Sequence, residues 1–204
     1  LASQIAQLLT SPATFDGNSI KAGDIAVIVE KRRDARVCFD ALTEAGIPAV
    51  YTGDSDVFSS EACSDWLSLL DAFDSPHRSG VVRAAAATMF FGYDAQDLAT
   101  GGDELTDSVA ETIREWADHA RSNGVAAVFE SARLRGMADR MLSHRGGERY
   151  MTDMAHTTQL LQEIAHREHY SLSALRDWLH SRRAESGGGP ERNRRLDSDA
   201  EAVQ

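Results

Sequence analysis

Lys31-Arg32-Arg33 follow Glu30 at the point where a β-branched apolar run gives way to a helical rhythm. Cations at a helix N-terminus work against the helix dipole, so a cluster of three there points to an anion. Arginine suits phosphoryl chemistry because its planar fork donates two parallel hydrogen bonds. The plain alternative is a solvated basic turn. Gly146-Gly147-Glu148-Arg149, with Arg140 and Arg145 nearby, is a second anion candidate; its alternative is a structural turn with Arg149 paired to an acid. His166 and His169 have a metal-like i, i+3 spacing, yet no carboxylate or thiol cluster completes a coordination shell, so they read as a solvated face. His156 has no nucleophile paired with it and reads as an inter-helix hydrogen-bonder. Arg182, Arg183, Arg192, Arg194 and Arg195 against Glu185 and Glu191 leave a net charge of +3, suited to transient DNA contact or to solubility.

The elements that must carry these residues fall into two classes. Asp24-Ile-Ala-Val-Ile-Val29, a helical run, and Gly46-Ile-Pro-Ala-Val-Tyr51 read as strand, helix, strand. Val37, Ala41 and Ala45 lie along one helix face, with Cys38 and Leu42 beside it. Gly46 ends the helix and Pro48 prevents its continuation. Residues 1–10 form an amphipathic helix and 11–23 a polar loop. Gly53-Asp54-Ser55-Asp56 is a turn, and Ser59 or Ser60 caps the helix that follows. From Glu61 onward only helices are expected. Their apolar stripes are Trp66/Leu69/Leu70/Phe73, Val109/Ile113/Trp116/Ala120, Val125/Val128/Phe129/Ala132, Met154/Thr158/Leu161/Ala165 and Leu172/Leu175/Trp178/Leu179. Gly101-Gly102 breaks the chain, and Ser108-Val-Ala-Glu111 has the form of a capping box. Residues 186–195 carry no apolar side chain and three consecutive glycines, the composition of a linker or exposed loop.

Two parallel strands with one helix cannot bury themselves, and no convincing third strand is present. The chain also stops at Val203-Gln204 just as an apolar residue appears. A helical insertion within a split α/β domain accounts for both observations. Composition adds bounds. The 204 residues are 42% hydrophobic and 26% charged, ordinary for a globular chain. A net charge of −11 argues against a molecule coated in nucleic acid, but it leaves room for a local basic contact. Arginine outnumbers lysine nineteen to two, the mark of a high-GC genome. Cys38 and Cys63 lack metal-type spacing and read as buried reduced thiols, which suits a cytoplasmic protein. No apolar run is long enough to span a membrane, and no membrane partner is expected.

Asp24–Val29, Ala41-Leu-Thr-Glu-Ala-Gly-Ile-Pro48, and Val57-Phe58 before a Glu-containing helix resemble the start of the second RecA-like domain (2A) of UvrD-like superfamily 1 DNA helicases. Further stretches resemble the exonuclease V beta-subunit (RecB) branch. These are Arg83-Ala-Ala-Ala-Ala-Thr88 with Gly92 after it, and Arg195-Leu-Asp-Ser-Asp199 with Val203-Gln204. The most discriminating is Gly146-Gly-Glu-Arg149 with Thr152-Asp153-Met-Ala-His156 and Leu160-Leu-Gln-Glu163. The resemblance covers nearly the whole chain. It implies a mostly α fold, with a helical 2B-type domain attached to a small incomplete α/β piece. In these terms residues 1–58 are the partial 2A piece (strands near 24–29 and 48–51), 59–185 the 2B-type domain, and 186–204 a flexible loop returning to the 2A sheet.

The resemblance further implies an ATP-dependent helicase and exonuclease subunit in double-strand break repair and recombination. The full-length enzyme would use ATP and Mg, whereas this segment needs no cofactor or metal and is expected to be inactive alone. The chain has no Gly-x-x-x-x-Gly-Lys-Ser/Thr phosphate loop and no nuclease carboxylate cluster with a lysine. The family's fourth helicase motif places an arginine at the end of the first strand, near the ATP γ-phosphate. Here that position is Glu30, so Lys31, Arg32 or Arg33 would supply the charge. Thr88-Met-Phe-Phe-Gly92-Tyr93-Asp occupies the place of a glycine hairpin that touches duplex DNA in related helicases. Thr88, Gly92, Tyr93, Arg145 and Arg149 are therefore the DNA-proximal candidates. The expected partners are duplex DNA, other subunits of the complex and the rest of the same chain. The competing reading is a free-standing helical protein-protein interaction module. A small nucleotide-binding enzyme is disfavoured by the missing glycine fingerprint.

Overall fold

The computed structural model describes residues 1–50, 56–144, 146–185, 192, 202 and 203, with only the backbone of Arg32. The chain divides into two compact units, Leu1–Ser55 with Leu196–Gln204, and Asp56–Arg195. Residues 53–55 of the expected 53–56 turn and most of the 186–204 stretch lie outside the described residues.

The first unit contains α1 (Ala2–Thr10), a two-stranded antiparallel hairpin β1 (Thr14–Phe15) and β2 (Asn18–Ser19), and α2 (Arg32–Glu44). The hairpin replaces part of the expected polar loop. Its turn, Asp16-Gly17, takes positive φ at both residues, the geometry a two-residue hairpin requires. Helix α2 ends at a Schellman cap: Ile47 N–H donates to Leu42 O (2.9 Å) and Gly46 N–H to Thr43 O (3.0 Å), with Gly46 at φ 71°. Leu42 and Ile47, the residues this motif brings together, are both buried in the unit's small core beside Ile5, Ala22 and Val203. The buried side of α2 is not the expected one. Val37 is 62% exposed, while Ala35, Cys38, Phe39 and Leu42 line a small apolar cleft. The i, i+3, i+4, i+7 rhythm of those four is the true inward stripe.

The expected first strand is also corrected. Residues 25–29 form no ladder, because among the described residues no strand lies beside them, and Ile28 is 93% exposed. The second expected strand survives as one parallel bridge, Ala49 to Val203. Val203 N–H donates to Pro48 O (2.9 Å) and Val50 N–H to Val203 O (2.7 Å).

The second unit is helical: α3 (Glu61–Asp74), α4 (Ser79–Ala86), α5 (Ala95–Asn123), α6 (Val125–Ala132), α7 (Ala138–Leu142), α8 (Gly147–Glu168) and α9 (Leu172–Ala184). Helix α3 is its axis and packs on α4, α5, α8 and α9. Ser60 caps it, accepting from Cys63 N–H (3.1 Å), and Trp66, Leu69, Leu70 and Phe73 all face inward. Trp66 is fully buried. Its Nε1 donates to Thr158 Oγ1 (3.0 Å), which itself donates to Met154 O (2.7 Å), so the indole's polar edge is satisfied inside the core. Ser108 starts no helix. Helix α5 runs through it with only a kink at Gly102 (φ 54°, ψ −137°), and the true capping box is Asp94 with Asp97. An irregular turn at Arg133–Met137 separates α6 from α7.

Candidate nucleic-acid interface

The Thr88–Tyr93 turn grows out of the end of α4. Thr88 Oγ1 donates to Ala85 O (2.6 Å), Gly92 N–H to Thr88 O (2.7 Å) and Tyr93 N–H to Ala86 O (3.1 Å). Phe90 is buried edge-on to Trp66 (4.9 Å between ring centres), while Phe91 stacks on Trp116 (5.0 Å). The backbone of Met89 is held from both sides. Its N–H donates to Asp65 Oδ2 (2.8 Å), and its carbonyl accepts from Arg140 Nε (3.3 Å) and Nη2 (3.1 Å). Gly92 has φ 79°, and a β-carbon there would collide with the Arg140 side chain. Close approach is therefore the reason for glycine, and the approaching group is an arginine. The main-chain N–H groups at the start of α5 are capped by Asp94, whose Oδ1 accepts from Asp97 N–H (2.7 Å). The N-terminus of α5 is thus satisfied by the chain's own carboxylate.

Burial pushes the Asp65 carboxyl up, offset by the hydrogen bonds it accepts from Tyr150 OH (2.7 Å) and Met89 N–H. Tyr150 is pushed up in turn by burial and by the Asp65 carboxylate. Partial burial draws the Arg140 guanidinium below the usual arginine range. Burial pushes the Cys63 thiol up to about 12, so it stays a protonated, unreactive thiol.

Of the other candidates, Arg149 lies in the first turn of α8 and pairs with the buried Asp153 (2.7 Å), the structural alternative for that residue. Gly147 packs against the Met141 carbonyl with no room for a side chain. Arg145 lies outside the described residues. Glu30, Lys31 and Arg33 are exposed just before and within the start of α2, in the other unit; the Arg32 side chain is not described. His169 ends α8 in a left-handed conformation, and the described residues contain no group of three or more metal-type ligands. Arg182 pairs with Glu185 (3.1 Å) and Arg183 donates to Ser64 Oγ (2.6 Å).

Arg192, read from sequence as part of an exposed basic loop, is buried. It is 6% exposed, donates from Nη2 to Asp56 Oδ2 (2.7 Å), Arg182 O (2.9 Å) and Glu185 O (2.8 Å), and lies over the Phe58 ring (5.1 Å). It caps the C-terminus of α9 and ties that end to the first residue of the unit. Sequence reasoning missed Arg140, Asp65 and Arg192 as organising residues. Their partners are 51, 24 and 136 positions away, and no local signal marks such pairs.

The described architecture defines a class: a small α/β piece whose two chain segments meet in parallel at Ala49 and Val203, interrupted by a closed helical unit. The particular family follows from comparison with known proteins. All 204 residues align at 66% identity with the RecBCD enzyme subunit RecB of Mycolicibacterium smegmatis, and at 64% with that of Mycobacterium tuberculosis H37Rv. Against Escherichia coli K12 RecB, 93% of the chain aligns at 34% identity. The chain spans about a fifth of the length of the mycobacterial relatives (19%) and fits a segment of RecB. No family model matches it. Among the described residues no helix is long and apolar enough to cross a membrane.

Proposed function

We propose that this chain is the part of a RecB-type subunit in which a 2B-type helical domain, residues 59–185, interrupts a 2A-type α/β domain. The complete subunit would be an ATP-dependent DNA helicase and exonuclease, working with Mg and with the other RecBCD subunits in the cytoplasm on broken DNA. This segment would position duplex DNA, contact partner subunits, or both, while ATP hydrolysis and strand cleavage lie in sequence outside it. The observation that carries the reading is the 66% identity along the whole chain to a RecB segment. The parallel Ala49–Val203 bridge supports it, since a split sheet with a helical insertion needs its two chain segments side by side.

In this reading Lys31, Arg32 and Arg33 sit at the ATP-proximal end of α2, and Glu30 replaces the arginine usual for the motif. The Thr88–Tyr93 turn faces the duplex through its main chain, with Arg140 held behind it on the Met89 and Phe90 carbonyls. Arg149 serves α8 rather than DNA. The test is a graft: this segment replaces its counterpart in M. smegmatis RecB, and ATP-driven unwinding by the assembled complex is measured. Unwinding within a few-fold of the parent supports the reading; an assembled complex that cannot unwind overturns it. The 204-residue chain alone should turn over no ATP, and its duplex affinity should fall steeply with salt. Measurable ATP turnover by the pure chain would refute the assignment.

A further inference from the structure

Arg140 lies at the junction of two turns. Its Nε and Nη2 donate to Met89 O (3.3 and 3.1 Å), Nη2 also to Phe90 O (2.6 Å), and Nη1 to Arg135 O (3.1 Å). The first two carbonyls belong to the Thr88–Tyr93 turn, the third to the Arg133–Met137 turn. Both turns are glycine-built, with Gly92 at φ 79° and Gly136 at φ 85°. Both also rest on one aromatic ring. Phe91 from the first stacks on Trp116 at 5.0 Å, and Arg135 from the second lies over the same indole at 5.7 Å. Asp65 grips the Met89 N–H from the opposite side. The result is a surface with Gly92 open to solvent and Leu134 90% exposed, in which neither turn can shift without breaking a bond to the same guanidinium.

We infer that Arg140 is a positioning residue: its fork locks the two turns into a single surface that meets the DNA backbone, and it is not itself the phosphate ligand. All three of its nitrogens are engaged by main-chain carbonyls, so the group is spent on shape. Lysine cannot substitute, because one ammonium has neither the planar fork nor the reach to bind three carbonyls of two turns. The inference rests on the reading of Thr88–Tyr93 as DNA-facing.

The experiment uses the 204-residue chain, a blunt 25-base-pair duplex, and two variants that reach the same state from opposite sides. Arg140→Lys keeps the charge and loses the fork. Gly92→Ala pushes the arginine off its carbonyls. Hydrogen exchange at the Met89, Gly92 and Gly136 amides reads the turns directly, and duplex titration at several salt concentrations reads the surface. Both variants should exchange at least tenfold faster at these amides, retain the circular-dichroism spectrum, and bind duplex about fivefold more weakly with an unchanged salt slope. A further variant, Arg140→Gln, removes the charge, and a slope lowered by about one there would show that Arg140 holds a phosphate and overturn the positioning role. Unchanged exchange overturns it as well. Faster exchange with unchanged affinity removes the two turns from the DNA surface. A wild-type chain that binds no duplex defeats the DNA-facing reading, while the exchange arm still reports on the lock.

Discussion

The two units differ in how far they satisfy themselves. The helical unit closes a core around Trp66, Phe58, Phe90, Ile113 and Met154, all essentially without solvent exposure, and its organising charges, Asp65, Arg140, Arg149 and Arg192, each meet a partner. Among its described residues the α/β unit buries only a small cluster around Ile5, Leu42, Ile47 and Val203, and leaves Ile28, Val37 and Phe15 at 93%, 62% and 60% exposure. Helices satisfy their backbone internally, so a helical unit can be complete on its own; a parallel sheet cannot be, because each strand borrows its hydrogen bonds from a neighbour. The same chain thus contains one part with a closed core and one that leaves large apolar side chains exposed.

That contrast can be broken in four places. Trp66→Ala should cost the helical unit about 4 kcal/mol, through lost burial, a cavity and the loss of the hydrogen bond that Thr158 Oγ1 accepts. Chemical denaturation followed by far-ultraviolet circular dichroism measures it; a cost below about 1 kcal/mol would mean the core is not closed around the indole. Arg192→Ala removes the ion pair to Asp56 and the donor to the Arg182 and Glu185 carbonyls at the end of α9, and should cost about 3 kcal/mol in the same measurement.

Asp65→Asn tests sign rather than size. The folded-state pKa of Asp65 is raised above 3.8, so its stability contribution is complete below that value and is lost as pH rises through the raised pKa. Asparagine does not titrate. Wild type should therefore lose ground relative to Asp65→Asn in Tm from about pH 3 to about pH 7, and the opposite trend would mean that the hydrogen bonds outweigh burial. The smallest effect is expected in the other unit. Ile28→Ser should move stability by no more than about 0.5 kcal/mol in this chain, because the side chain is already solvated. A larger loss would show that residues 25–29 are covered in solution.

The helical stripes were legible because each is local: Trp66, Leu69, Leu70 and Phe73 repeat within one helix, and Ser60 and Gly46 carry their capping signals in their own identities. The Thr14–Ser19 hairpin was not read and passed for a polar loop, because its flanks are too short and polar to look like strands. Ser108 misled for a related reason. The motif competes with whatever precedes it, and α5 passes Gly102 with a kink, Thr106 Oγ1 donating to Gly102 O (2.8 Å), so no new N-terminus forms. The strand at 24–29 failed because extended pattern is not a ladder. At the candidate interface the turn itself was readable; the residues that fix its shape, Asp65 and Arg140, belong to other helices and leave no mark in the local pattern.

The Arg192–Asp56 pair also bears on the route by which the chain reaches this state. Bringing Val203 beside Ala49 in an unfolded chain means closing a loop of more than 150 residues. Once the helical unit has formed and Arg192 has met Asp56, the closure involves only seven residues on one side and eleven on the other. The entropy of that closure then falls by about 2 kcal/mol, because the cost grows with the logarithm of loop length. A folding order follows, with the helices first and the parallel bridge last. In rate measurements, loss of Arg192 would slow formation of the bridge more than that of any helix.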